Sequence, residues 1–306
     1  MAQSQTLTSG TPEWHAERRL GIGGSDVGAI FGLSKFATPY DIYMEKIGEG
    51  EPKDETWDIM RGNALEPAIR QWYSNQTGRT VLLPTKSVVS DKYPFMRVNP
   101  DGIIENEERA LEIKAPRFMR GWGAENTDEL PEIYLLQVQH TMFVLNKPVC
   151  DVVPSLAANE PKIYTVPADR EIQEMIIEKE AEFWQRVQDR NPPEPINNDD
   201  VAKMYKQVNG LSIEATPEIK HEFLHLKGVR EVLKNYEEQK EMSEVIIKNF
   251  MGNNEILVDE NGKILVTWKQ GKGAERLDGK AVKENEPDIY ERYIKIGDPV
   301  RRFLIK

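Results

Sequence analysis

The chain has 306 residues, 39% of them hydrophobic, and a net charge of −11, so one large domain or two can bury a sizeable core. No run nears the roughly 18 consecutive apolar residues of a membrane helix, and residues 1–10, MAQSQTLTSG, lack the apolar centre of a secretory signal, so a cytosolic protein is expected. The single cysteine, Cys150, excludes an internal disulfide and an iron-sulfur cluster, and the four histidines form no zinc pattern with it.

In chain order, the first informative stretch is Trp14-His15-Ala16-Glu17-Arg18-Arg19, followed by the glycine-rich Leu20 to Asp26. Ser25-Asp26 before the apolar Val27 to Phe31 reads as a capped helix start, and its amides with a nearby arginine suit an anion. A plain cap is the simpler reading. Arg61-Gly62-Asn63-Ala64-Leu65-Glu66-Pro67 then reads as the opening of a helix bearing Leu65, Ile69, Trp72 and Tyr73, with Glu66 near its start. An acid there ordinarily does no more than complement the helix dipole.

Residues 99–114, NPDGIIENEERALEIK, carry the strongest signal. Asp101-Gly102 is a turn pair, Ile103-Ile104 is apolar, and Asn106 to Arg109 supplies a second turn, so a hairpin is predicted. Strand alternation places Glu112 and Lys114 on one face and sends Leu111 and Ile113 to the core. The hairpin returns Asp101 to the neighbourhood of Glu112. Two carboxylates and a lysine in one pocket suit a hard cation such as Mg²⁺ and phosphoryl chemistry. Alone the pattern is weak, because an edge strand with alternating solvated charges produces it too.

Tyr134 to Leu145 is an apolar helix with Gln137 and Gln139 at its middle. A buried amide without a partner costs about 1–3 kcal/mol, so Gln137 is expected to bond a core network or a site group. Ile163 to Pro167 reads as a strand before an acidic helix over 169–189. Prolines and asparagines at 189–198 mark a boundary. Beyond it, Ile219, Phe223, Leu226, Val229, Leu233 and Tyr236 mark a long amphipathic helix over about 217–251, and Glu255–Val258, Asn261-Gly262 and Ile264–Trp268 mark a hairpin. His221 and His225 lie four apart on that helix, a spacing open to a metal, although a solvated face is the simpler reading.

A net negative charge is awkward for a nucleic-acid protein, because lysines and arginines supply most phosphate affinity. The excess is local, however: residues 1–200 hold 21 basic and 33 acidic groups, and 201–306 hold 19 and 18. Much of it is expected to be solvated, in Glu45–Asp58, Glu125–Glu132 and Glu171–Glu182. A local basic track remains compatible with this balance.

Taken in order, W-H-x-x-R (14–18) with G-G-S-D (23–26), R-G-N-x-L-E-P (61–67), N-P-D-G (99–102), L-E-I-K-A-P (111–116) and L-L-Q-V-Q-H (135–140) make the chain resemble the lambda-exonuclease or YqaJ-type viral recombinase family of the PD-(D/E)XK nuclease superfamily. The resemblance covers roughly residues 10–190. It implies an α/β, restriction-endonuclease-like core over residues 1–195, a mixed central sheet flanked by helices. A C-terminal helix and β-hairpin extension over 196–306 would serve assembly or DNA grip, with a plain packing add-on as the rival reading.

The implied activity is a metal-dependent 5′-to-3′ exonuclease that digests one strand of linear double-stranded DNA and leaves 3′ single-stranded tails for an annealing partner protein in phage-type recombination. By motif, Glu66, Asp101 and Glu112 match the metal-binding acids, with the carbonyl of Ile113 as a further ligand. Two Mg²⁺ ions are implied, with Mn²⁺ as a substitute. Lys114 matches the lysine beside the attacking water, and Gln137 the glutamine that supports it; Gln139 is expected to face elsewhere. Arg18 and Ser25 match the pocket for the 5′-terminal phosphate, with adjacent Arg19 leaving the choice of arginine open. Asn99 departs from relatives that carry a serine there. The resemblance further implies a homo-oligomeric ring, often a trimer, no membrane, and a phage or prophage protein in the bacterial cytoplasm. Two alternatives stand beside it: a structure-specific or single-strand nuclease of the same superfamily, and a non-catalytic DNA-end-binding protein.

Overall fold

The computed structural model describes residues 11–50, 56–156, 159–297 and 300–306; the N-terminal decapeptide and part of the acidic stretch 45–58 lie outside the described residues. Chain contacts divide the molecule into two compact units, Met1–Met204 and Tyr205–Lys306.

The first unit opens with α1 (Pro12–Arg18), β1 (Ile22–Gly23), α2 (Gly24–Ile30) and α3 (Pro39–Ile47). The N-cap of α2 is Gly23, so the helix starts earlier than the Ser25-Asp26 cap expected, with Ser25 inside the first turn and Asp26 its third residue. Helix α3 has clear local signals. Thr38 accepts from the Asp41 amide, the Asp41 side chain accepts from the Thr38 amide, Pro39 occupies the first turn, and Gly48 closes the helix at φ 79°.

Helix α4 (Trp57–Thr77) starts earlier than expected. Thr56 caps it, Gly62 lies in its interior, and Pro67 is accommodated within it, so Glu66 is a mid-helix residue. Arg61-Gly62-Asn63, expected as the opening of the helix, lies inside it, and the cost of one interior glycine, roughly 1 kcal/mol, is small beside the packing of Ile69 and Tyr73.

The strands β2 (Val81–Leu82), β3 (Val88–Val89), β4 (Met96–Val98), β5 (Gly102–Ile104) and β6 (Arg109–Lys114) follow, then α5 (Glu132–Leu145), β7 (Val149–Pro154), β8 (Tyr164–Pro167), α6 (Arg170–Gln188) and α7 (Asn198–Met204). The main sheet has order β2-β5-β6-β7-β8 and is mixed: β6 and β7 run parallel, joined through α5, and the other pairs are antiparallel. A separate three-stranded sheet has order β1-β4-β3, with β1 and β4 parallel and β3 and β4 antiparallel.

Both faces of β6 are covered. Leu111 and Ile113 pack with Ile69 and Tyr73 of α4, whereas Ala110 packs with Val138 and Met142 of α5. The expected inward face is therefore matched by a second buried face, and Glu112 lies under α5 at 3% exposure.

The first unit continues past the proline-rich break through α7. Buried Asp200 accepts from the Thr38 hydroxyl at 2.8 Å and from the Ile196 amide at 3.1 Å, tying α7 to α3.

The second unit comprises α8 (Pro217–Met251), β9 (Ile256–Val258), β10 (Ile264–Thr267), α9 (Gly279–Asn285) and α10 (Pro287–Tyr293). The long helix and the hairpin coincide with their sequence signals; α9 and α10, one turn or two each, had none. Asp259 builds the hairpin turn by accepting from the Asn261 and Lys263 amides, and Gly262 supplies φ 80°. His221 and His225 are exposed. Among the described residues, no helix is long and apolar enough to cross a membrane.

Candidate active site

Antiparallel pairing of Gly102 with Leu111 and Ile103 with Ala110 brings Asp101 alongside β6. The Ile113 amide donates to Asp101 Oδ2 at 2.6 Å, and Arg70 Nε donates to the Asp101 carbonyl at 2.9 Å. Glu112 Oε1 is a convergence point, receiving both Lys114 Nζ and Gln137 Nε2, the latter at 2.6 Å. Lys114 Nζ also lies 5.6 Å from the centre of the Tyr134 ring, a cation–π arrangement. The predicted hairpin, the shared face of Glu112 and Lys114, and a polar partner for Gln137 are thus all present in one place. Gln139 faces away: its carboxamide bonds the Pro167 carbonyl and the Asp169 amide.

Burial, then the neighbouring Glu112 and Glu66 carboxylates, push the Asp101 carboxyl well above the usual range, against the pull of Lys114 and the Ile113 amide. Burial lowers Lys114, but the Glu112 and Asp101 carboxylates outweigh it and hold the ammonium charged. Glu66 reaches this field from α4 while its own carboxylate bonds Arg70. Among the described residues, no three His, Cys, Asp or Glu side chains are set as a metal cluster in this arrangement. The reason is visible in the partners: Arg70 takes Glu66, Ile113 takes Asp101, and Lys114 and Gln137 take Glu112. The donor set still fits a hard cation, because the half-buried Asp101 carboxyl is raised by the Glu112 and Glu66 carboxylates near it, a charge conflict that a shared positive ion would relieve.

Arg18, at the end of α1, and Ser25, in the first turn of α2, meet at 3.4 Å. Arg19 is exposed. Arg18 Nη2 bonds Asp26 and its Nε bonds Glu45 at 2.9 Å. Asp26 also accepts from Lys46 Nζ at 2.6 Å and from the Gly23 amide at 3.0 Å. Burial would raise Asp26, but Lys46 and Arg18 hold it far below the ordinary carboxylate range. Sequence reasoning treated Asp26 as a cap and left Glu45 and Lys46 in a solvated stretch; nothing in their spacing signals a buried ion network.

Gly24 joins the two clusters. A Cβ there would stand 3.3 Å from Gln137 Cγ and 3.2 Å from Thr141 Oγ1, so the absence of a side chain sets how closely Ser25 approaches the helix carrying Gln137. Asn99 accepts from the Ser87 hydroxyl at 2.6 Å, which puts a serine beside the position where one was missing.

An acid immediately before one strand, Glu-x-Lys on the next, a mixed sheet and helices packed on it are the arrangement that the sequence led one to expect. Residues 13–148 match the family model of the YqaJ-like viral recombinase domain. It is 27% identical over 305 residues to the uncharacterized protein YqaJ of Bacillus subtilis (strain 168), spanning 96% of this chain and 93% of that protein. A second relative, protein R354 of Acanthamoeba polyphaga mimivirus, is 27% identical over 155 residues, covering 45% of this chain and 27% of that protein. Among solved structures it is similar to an alkaline exonuclease from Laribacter hongkongensis, with TM-score 0.49 and 19% identity over 59% of this chain and 94% of that one. A phage related exonuclease from Haemophilus somnus 129PT gives TM-score 0.44 and 12% identity over 57% of this chain and 97% of that one.

Proposed function

We propose that this protein is a DNA exonuclease that degrades one strand of linear duplex from its 5′ end, with Mg²⁺ held by Glu66, Asp101 and Glu112 and by the Ile113 carbonyl. The observation that carries the reading is the convergence of Lys114 and Gln137 on Glu112 beside the half-buried Asp101, whose carboxyl the neighbouring acids raise. Bound Mg²⁺ would neutralise phosphate charge and activate water, and two ions are proposed.

The chain's own groups account for the rest. Lys114, kept protonated by its two carboxylates, donates toward the attacking water and offsets charge building on the phosphate. Gln137 orients Glu112, and through it Lys114. Arg18 and Ser25 hold the terminal 5′-phosphate and set direction, because a duplex seated there offers its first internal phosphodiester to the acids. Water adds across the phosphorus–oxygen bond, releasing a 5′-nucleotide and a strand one residue shorter. The remaining 3′ tail is a substrate for a single-strand annealing partner, and a ring of copies would keep the enzyme on its track; the name of the recombinase-like domain and of the exonucleases of similar fold favour this setting.

The test is digestion of linear duplex labelled at either end, with and without Mg²⁺, by the wild type, Glu112→Gln and Lys114→Ala. Metal-dependent loss from phosphorylated 5′ ends, reduced by at least about 100-fold in both variants, is expected. DNA binding without digestion by the wild type would shift the reading to an end-binding protein.

A further inference from the structure

The two carboxylates on Arg18 are not equivalent. Asp26 is 1% exposed and accepts from Arg18, Lys46 and the Gly23 amide, so it has no room to leave and no solvent to leave into. Glu45 sits in the last turn of α3 with 29% of its side chain exposed, 2.9 Å from Arg18 Nε and 3.5 Å from Lys46 Nζ. Arg18 itself keeps 19% of its side chain exposed, and Ser25 beside it is exposed.

Charge decides what happens when an anion arrives. Arg18 and Lys46 balance Asp26 and Glu45, leaving the cluster neutral. A terminal phosphate adds about −1.5 to −2 at neutral pH. If Glu45 stayed, three anions would share one guanidinium and the cluster would carry a large uncompensated negative charge in a partly buried place. Glu45 can swing into water; Asp26 cannot.

We propose that Glu45 is a resident carboxylate that occupies Arg18 while no DNA end is bound, and that a 5′-phosphate binds by displacing it. The consequence is selectivity. A 5′-hydroxyl end brings no charge to replace the carboxylate, so Arg18 stays engaged with Glu45, while a phosphorylated end exchanges one anion for a stronger one. Glu45 thereby sets the discrimination between end types at the expense of some affinity for the preferred one. This inference rests on the reading of Arg18 and Ser25 as the pocket for the 5′-phosphate.

The test compares the full-length wild type and Glu45→Gln by fluorescence anisotropy in EDTA, with blunt duplexes that differ only in a 5′-phosphate or 5′-hydroxyl. Glutamine is isosteric with glutamate, and an unchanged melting temperature verifies the fold. Glu45→Gln should tighten binding of phosphorylated ends about two- to fivefold and leave hydroxyl ends unchanged, the size expected for a part-exposed ion pair. Weaker binding of phosphorylated ends would overturn the proposal and make Glu45 a support that holds Arg18 in its binding pose. An equal gain for both ends would overturn it too, as a general charge effect. A wild type that does not distinguish the two ends would instead refute the phosphate-pocket reading, and this inference with it.

Discussion

Asp26 is the residue on which the first cluster depends, since it is the buried anion shared by Arg18 and Lys46. Asp26→Asn would strand two cations, one of them fully buried, at a cost of about 3–5 kcal/mol. The pH behaviour has a definite sign. Because Lys46 and Arg18 depress the carboxyl in the folded protein, its contribution is present above the ordinary aspartate value of about 4 and fades as the pH falls through the folded value. Thermal melting from pH 7 downward should therefore show the wild type losing stability in acid, and Asp26→Asn, already less stable, losing less of what remains. A variant curve parallel to the wild type would remove Asp26 from the role. Of these residues, the sequence made Ser25-Asp26 visible as a helix start, yet the ion network was hidden, because Lys46 lies 20 positions away and nothing local demands that the two meet.

At the scale of the element, α5 divides two duties between two glutamines. Gln137 points to β6 and bonds Glu112, whereas Gln139 points to the start of α6 and bonds the Pro167 carbonyl and the Asp169 amide. Helical geometry predicts this split, since residues two apart on a helix project about 200° from each other. Gln137→Ala should cut the rate of digestion about 10–100-fold and raise the Mg²⁺ concentration needed, with little change in melting temperature. Gln139→Ala should do the reverse, costing about 1–3 kcal/mol of stability by leaving buried groups unpaired while the folded fraction keeps its rate. Equal effects of the two substitutions on rate would contradict the assignment. A third duty was not legible. His140 bonds Glu180 of α6 inside the core, although Glu180 falls in a stretch that reads as solvated. An acidic helix gives no local sign of which single carboxylate turns inward; its partner lies 40 residues earlier.

For the whole molecule, the first unit holds the buried hydrophobic residues of two sheets and five helices, while among the described residues of the second unit Met251 alone is a buried hydrophobic. A chain ending at Met204 should therefore fold cooperatively, with a melting temperature within a few degrees of the full chain, and retain digestion of short duplexes; loss of processivity or of self-association on removal of 205–306 would assign assembly or DNA grip to the second unit. If the shortened chain kept both, the second unit would have neither role. Sequence alone determined the elements whose signals are local: the hairpin of β5 and β6 with its Glu-x-Lys alternation, the apolar helix α5, the long amphipathic helix α8 and its following hairpin, and the ordered motifs that resemble a YqaJ-like domain. It misplaced what depends on competition between local and distant forces. The sequence opens α4 at Arg61, whereas the helix begins at Trp57, because packing of Ile69 and Tyr73 against Leu111 and Ile113 of β6 supports a longer helix that runs through Gly62. The second buried face of β6, the Asp26 ion network and the approach of Ser25 to Gln137 through Gly24 were decided only by tertiary structure, because each is a contact between segments far apart in the chain, and sequence periodicity reports which face of an element is buried but not what lies against it.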